Sequence, residues 1–499
     1  MVYYLKFFCK KKTPVQKYRF FSVFIVLFIC GNFVAQISLQ KFTDDFNKSA
    51  ENKYGSVSIA IMDLDKDSVL ADINGEKTLM CASTAKLFST YAALEMLGAD
   101  YKPQTTIYTN GIIDSNGVLK GDLIIRGGGD VTLGSKYFNK EGLEYGFMSI
   151  WMDTLKARGI RSIDGDIISD GSDFGYAGVP DGWDWSDMGN YYGAGACGIN
   201  FYDNTVKYYF DTPSMGQKVK FKGTFPIDPN LKFSHTIKSA NIRNDQSYLY
   251  GAPYSQDRFG IGSLPSNRTD FVVKGSMHDP EYMLSKEFSA FLKDSNFNVS
   301  GAALGNRILN RPKMIYDSLT ILYKHEGQSI LDIIKLTNEK SINLFAEGML
   351  NLVGFEQNSF GSTTSGIRAL YDNFEGKINL YGMKLKDGSG LSRKNAVSAQ
   401  NFIDLLSYIH RSPLNDTFRG SLAVAGESGT LKNICRSQAA SGRMFAKSGT
   451  LSNVKAYAGF VNTISGKHLA FAIIVNNFEG PRYQMVKKME RIFNAMAKY

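Results

Sequence analysis

Cysteine and histidine are scarce in this chain, and their scarcity narrows the chemistry before any motif is read. Five cysteines occur in 499 residues; Cys9 and Cys30 fall in the first 35, and Cys81, Cys197 and Cys435 are odd in number, widely spaced and free of any Cys-x-x-Cys pair. That pattern argues against a disulfide framework and against a zinc site. The five histidines form no ligand pattern either, so the expected chemistry uses no metal, no cofactor and no histidine base. Proline is sparse, at 12 against 48 glycines, and 43% of residues are hydrophobic and 21% charged. Such a composition excludes a collagen-like or wholly disordered chain. No internal repeat or low-complexity segment is present, and the length suits roughly two to four domains.

The formal charge of +10 invites a nucleic-acid reading that its location removes. Lys6, Lys10, Lys11, Lys12, Lys17 and Arg19 supply six of those charges with no acid among residues 1–35, which leaves +4 on the other 464. No nucleic-acid partner is expected from so mild a balance. The cationic stretch is followed by an apolar run over residues 20–35, broken only by Ser22, Gly31 and Asn32. That is the layout of an export signal with a cleavage point after Ala35, shorter than the ~20 apolar residues of a comfortable span. Residues 1–35 are therefore assigned to a signal peptide and the protein to the periplasm or cell envelope. An uncleaved anchor, giving peripheral membrane contact, is the alternative. Bulky Phe28 and Ile29 before Cys30 argue against lipidation.

β-Rich runs at 56–62 and 68–73 flank a polar turn and predict a hairpin. A helix is predicted over 83–97 with Gly98 closing it. Helical texture returns near 325, with segments at 329–336, 342–353, 363–372 and 399–409. Strands at 455–462 and 469–476 and a closing helix over 483–498 complete the chain. Composition shifts near 105 and 315 predict a domain built from 36–105 and 316–499, interrupted by a β-rich insertion over 106–315.

Ser83-Thr84-Ala85-Lys86 opens the first helix. At i and i+3 the hydroxyl and the amine share one face. A serine needs a base to become a nucleophile, and a lysine whose pKa is lowered by burial can be that base. Alone the pattern is better read as a helix N-cap with a solvated lysine. Ser38-Leu39-Gln40-Lys41 and Ser452-Asn453-Val454-Lys455 match it too. Two further motifs add weight. Ser341-Ile342-Asn343 offers a hydroxyl and an amide at a helix start, with Ser239-Ala240-Asn241 as a decoy. Lys447-Ser448-Gly449-Thr450 places a cation, two hydroxyls and a side-chain-free glycine before a strand, where an extended peptide can pair and approach closely. A second Ser-Gly-Thr-Leu at 428–431 has Glu427 in place of the lysine.

The three motifs together resemble the Ser-x-x-Lys, Ser-Asp-Asn and Lys-Thr-Gly set of penicillin-binding proteins and class A β-lactamases. The chain is most similar to the class C low-molecular-mass branch, the D-alanyl-D-alanine carboxypeptidase/endopeptidases of the penicillin-binding protein 4 type. The features that select this branch are the 258-residue separation of Ser83 and Ser341, the run Asp387-Gly388-Ser389-Gly390-Leu391-Ser392-Arg393, the stretches at 121–130 and 165–168, and Trp183-Asp184-Trp185. Ile342 and Ser448 depart from the commoner Asp and Thr.

This resemblance implies an α/β transpeptidase-like domain, an antiparallel sheet flanked by helices, carrying an inserted region of two subdomains. It implies that Ser83 is acylated by a D-Ala-linked peptide with Lys86 as base, that Ser341 relays a proton to the leaving amine, and that Asn343 orients substrate and Lys86. Lys447 supplies positive potential that lowers the Lys86 pKa, Ser448 and Thr450 bind the substrate carboxylate, Gly449 admits its backbone, and the backbone N–H groups of Ser83 and Thr450 form the oxyanion hole. Arg393 is expected to meet an acidic group of the stem peptide and Asp170 an ammonium. The run at 387–393 reads equally as a tight turn beneath the site, and Trp183 and Trp185 as packing residues. The expected partners are peptidoglycan stem peptides ending in D-Ala-D-Ala and, as covalent inhibitors, β-lactams. A serine β-lactamase would add a deacylating glutamate on a loop in a Glu-x-x-Leu-Asn pattern; the run of that form here, Glu347-Gly348-Met349-Leu350-Asn351, falls inside the helix predicted over 342–353, and the long insertion also argues against that reading. A catalytically dead wall-binding module is the remaining alternative.

Overall fold

A polar turn at 64–67 lets the two flanking β-rich runs pair, so Ser56–Asp63 and Ser68–Ile73 form the predicted antiparallel hairpin. The computed structural model describes residues 39–140, 142–309 and 314–499; the signal assigned to 1–35 lies outside them. The hairpin forms one edge of a six-stranded antiparallel sheet. Its order is Ala423–Val424, Met444–Leu451, Val454–Asn462, His468–Asn476, Ser56–Asp63 and Ser68–Ile73.

The strands Val454–Asn462 and His468–Asn476 are buried almost end to end, because alternate side chains enter two different cores. Ala456, Ala458, Phe460, Ala470, Ala472 and Ile474 face the helices Lys86–Leu97, Asn343–Asn358 and Ala399–Arg411. Tyr457, Val461, Phe471, Ile473 and Val475 face Met485, Met489, Ile492 and Phe493 of the closing helix Arg482–Lys498. A sheet covered by helices on both faces is the α/β arrangement expected from the sequence.

The insertion is carried somewhat further out than the composition shifts at 105 and 315 suggest. Gln104–Thr109 pairs antiparallel with Thr320–Glu326, and both belong to a five-stranded sheet with Leu123–Gly127, Ile167–Asp170 and Ala303–Gly305. A second group of sheets spans 205–276, with Thr205–Thr212 between Lys220–Phe225 and Arg268–Ser276. The two groups share one core, in which Trp151 and Phe288 pack edge to face beside Ile107, Tyr208 and Phe210. Among the described residues no helix is long and apolar enough to cross a membrane.

Candidate active site

Ser83 sits in a single 3-10 turn, Ala82–Ala85, that tightens the start of the helix Lys86–Leu97. Ala82 takes a left-handed φ of 48°, an unfavourable conformation for alanine. The surroundings hold it there. Asn476, at the end of its strand, clamps Met80 from both sides, accepting from its N–H (3.0 Å) and donating Nδ2–H to its carbonyl (2.9 Å). Two glycines close over the turn. A Cβ on Gly449 would lie 2.7 Å from the Cys81 carbonyl oxygen and 3.1 Å from the Ser83 nitrogen, and one on Gly390 (φ 81°) would lie 1.9 Å from the Ala82 oxygen. Gly449 was expected to make room for a substrate backbone; the space it leaves is filled by the turn that carries Ser83.

Lys86 is fully buried, and its Nζ is shared by three oxygens: Ser83 Oγ (3.0 Å), Asn343 Oδ1 (2.7 Å) and the Ser389 carbonyl (2.6 Å). The Asn343 amide is oriented by its own Nδ2–H, which donates to the Tyr192 carbonyl (2.8 Å). Oδ1 and the Ser389 carbonyl can only accept. A neutral amine, with two N–H groups, satisfies both and turns its lone pair to the Ser83 hydroxyl. Burial lowers the Lys86 pKa to about 8, against the opposing pull of the Asp387 and Glu347 carboxylates. The resemblance credits that depression to Lys447, whereas burial causes it; burial, and after it repulsion from Lys86 and Lys455, holds Lys447 well below its usual range. Lys447 Nζ donates to Ser341 Oγ (2.8 Å) and to the Ser448 carbonyl (3.0 Å). Ser341 does not open a helix. It lies between Ile330–Lys340 and Asn343–Asn358 with φ 62° and ψ 41°, a left-handed link that separates the two helices.

The run at 387–393 is both a tight turn and a wall of the site. Asp387, buried, accepts from the Gly390 N–H (2.8 Å), the Ser392 N–H (2.6 Å), Asn395 Nδ2 (2.7 Å), Ser389 Oγ (3.2 Å) and Trp183 Nε1 (2.8 Å). Behind it the buried Glu347 accepts from the N–H groups of Gly388 (3.1 Å) and Ser389 (2.7 Å). Burial and Asp387 push Glu347 up to about 8. These contacts fix the Ser389 carbonyl against Lys86.

A cleft of about 530 Å³ opens over Ser83, Ser341, Asn343, Arg393 and Thr450, and its far wall comes from the insertion: Ser186, Asp187, Tyr192, Tyr248 and Tyr250. No glutamate lines it among the described residues; Glu347, which heads the Glu-x-x-Leu-Asn run, is buried and accepts from the loop at 388–389 instead. Arg393 reaches the cleft while its Nε donates to Asp184 (2.5 Å). Asp170 does not reach it. That carboxylate is buried at the end of Ile167–Asp170, where it accepts from Tyr316 Oη (2.5 Å), Asn306 Nδ2 (3.1 Å) and the Ser172 N–H (2.9 Å). The carboxylate placed in the cleft is Asp187, two residues beyond the Trp183-Asp184-Trp185 run, where it accepts from Tyr192 Oη (3.2 Å). Trp183 is buried, as a packing residue would be, and Trp185 is exposed beside Tyr250. Ser448 Oγ donates to Thr430 Oγ1 (2.9 Å), so the duplicate motif at 428–431, set aside for want of a cation, supports the true one. Thr450 Oγ1 accepts from Lys455 Nζ (2.8 Å). Cys81, Cys197 and Cys435 are free thiols, and burial pushes Cys81 up to about 12.

Fold and site together define a serine enzyme of the transpeptidase-like fold, with the Ser83 hydroxyl facing a buried lysine amine. The family model of the D-Ala-D-Ala carboxypeptidase 3 (S13) family matches residues 37–496, and the chain belongs to that family. It is 27% identical to the D-alanyl-D-alanine carboxypeptidase of Actinomadura sp. (strain R39) over 441 residues, 86% of this chain and 79% of that one. It is 24% identical to D-alanyl-D-alanine carboxypeptidase DacB of Haemophilus influenzae over 461 residues, 89% of this chain and 91% of that one. The crystal structure of penicillin binding protein 4 (dacB) from Haemophilus influenzae superposes with a TM-score of 0.78 at 23% identity, covering 91% of this chain and 99% of that one.

Proposed function

We propose that this chain hydrolyses D-Ala-D-Ala-terminated peptidoglycan stem peptides, and D-Ala-linked cross-links by the same chemistry, through an acyl-enzyme on Ser83. The observation that carries the reading is the position of Lys86 Nζ, within hydrogen-bond reach of Ser83 Oγ while two pure acceptors occupy its N–H groups. In this reading neutral Lys86 takes the Ser83 proton as Oγ attacks the carbonyl carbon of the penultimate D-Ala. The tetrahedral intermediate collapses as the proton taken by Lys86 is passed on through Ser341, hydrogen-bonded to Lys447, to the leaving amine of the terminal D-Ala, which returns Lys86 to the neutral state. Water then attacks the ester, its proton returns through Lys86, and Ser83 is released. Penicillin enters the same path and stops at the ester. The cationic–apolar residues 1–35 support export to the cell envelope.

Mass spectrometry of the chain after exposure to penicillin tests the reading. A single adduct on the peptide bearing Ser83 is expected. Folded protein that gains no adduct and leaves a D-Ala-D-Ala peptide intact would refute it and favour a non-catalytic wall-binding module.

The wall formed by Arg393 and Asp187 supports a preference for a stem residue that carries both a carboxylate and an ammonium. One charge-assisted contact is worth about 1.5–3 kcal/mol. Arg393→Ala is therefore expected to lower kcat/KM by about tenfold or more on a stem peptide with an acidic third side chain, and to leave a neutral one little changed. Equal effects on both peptides would remove Arg393 from substrate recognition.

A further inference from the structure

Lys455 begins as a contradiction, a buried cation without an anion. It lies on Val454–Asn462 directly across from Thr450 in the strand register, and only 6% of its surface is exposed. Its Nζ donates to Thr450 Oγ1 at 2.8 Å and stands 4.4 Å from the centre of the Tyr457 ring. Among the described residues no carboxylate pairs with it. The charged groups that face it are cations, Arg482 from the closing helix and Lys447 from the adjacent strand. A buried charge left unpaired is costly, and such groups are ordinarily matched by an opposite charge. Its single side-chain hydrogen-bond partner, Thr450, lines the cleft.

The hydroxyl between them gives the arrangement a direction. A threonine hydroxyl has one proton and two acceptor positions. With Lys455 donating into Oγ1, the Thr450 proton is turned away from the lysine and toward the cleft, and its donor strength is raised by the cation behind it. We propose that the counter-ion of Lys455 is the C-terminal carboxylate of the substrate, and that Lys455 is the positioning residue through which Thr450 selects peptides with a free carboxylate over amidated or extended ones. The inference rests on the peptidase reading above and adds the group that sets its preference for chain ends.

The proton on Lys455 matters in the same way. Burial and Arg482 lower its pKa to about 8, so the free-acid preference should fade as pH rises through that value and the cation is lost.

The test compares kcat/KM for a D-Ala-D-Ala peptide and for the same peptide with a C-terminal amide, in wild type, Lys455→Met and Lys455→Arg. Methionine keeps the length of the buried chain without the charge. In Lys455→Met the acid-over-amide preference is expected to fall by about 10- to 100-fold, mainly through KM, with its decline near pH 8 abolished; Lys455→Arg is expected to restore most of it. Equal losses on both peptides would mean a structural role only and would overturn the proposal. So would a wild-type enzyme that is acylated by penicillin yet shows no preference for the free acid. A wild-type chain that takes neither peptide nor penicillin would overturn the peptidase reading itself, and the proposal with it.

Discussion

Lys86→Met is expected to lower the rate of Ser83 acylation by about 10³-fold, within the usual range for a positioned general base. Methionine fills the volume of the lysine stem but leaves the Asn343 Oδ1 and Ser389 carbonyl without their donor, and no amine remains to take the hydroxyl proton. The wild-type pH profile should show the same group. The base acts only when neutral, and its pKa lies at about 8. Below that value the acylation rate at saturating substrate is therefore expected to fall about tenfold for each unit of acidification, and above it to level off. Stopped-flow acylation by a chromogenic β-lactam across this range measures both effects. A Lys86→Met enzyme that acylates at a rate near wild type would exclude Lys86 as the base.

The second large effect is expected from Asp387→Ala, far from any substrate contact. Five donors converge on that one carboxylate. Truncation leaves them buried and unpaired, at a cost of about 3–5 kcal/mol in unfolding free energy. The loop that presents the Ser389 carbonyl to Lys86 would lose its frame, and a displacement of about 1 Å at a reacting group costs on the order of 100-fold. Asp387→Asn is expected to recover little, because an amide nitrogen would face the Trp183 and Ser392 donors or the Gly390 and Asn395 donors whichever way it turned. Denaturant unfolding and acylation rates should fall together. A stable Asp387→Ala protein with wild-type acylation would show that Glu347 and the surrounding packing hold the loop unaided.

The residues legible in the sequence were those whose unusual types recur at short, fixed spacings on local structure. Ser83 and Lys86 are of that kind, as are Ser341 with Asn343 and the Lys447–Thr450 run. The residues that complete the site carry no such mark. Asp187 reaches the cleft from a segment more than a hundred positions away from either neighbouring motif, and nothing in its surroundings distinguishes it from Asp170. Glu347 did leave a signal, a lone acid four residues after Asn343 in a helix otherwise buried along that stretch. Lys455 was visible only as the lysine of a Ser-x-x-Lys decoy, since its role depends on a partner across two strands. The sheet was legible through the alternation of 56–62 and the apolar runs near the C-terminus. The limits of the insertion were less so, because Thr320–Glu326 joins the inserted sheet by pairing with Gln104–Thr109, a partner more than two hundred residues away.

The clamp of Asn476 on Met80 also has a bearing on the order in which the protein comes into being. Ser56 pairs with Asn476 across the sheet, and the turn carrying Ser83 is tied to that same asparagine. A growing chain exposes Ser83 and Lys86 early, but Asn476, which holds their turn, follows Met80 by 396 residues. Contacts of such sequence separation form late. A nascent chain that has not reached Asn476 thus contains Ser83 and Lys86 without the clamp that holds their turn, and the turn is held only once His468–Asn476 has emerged.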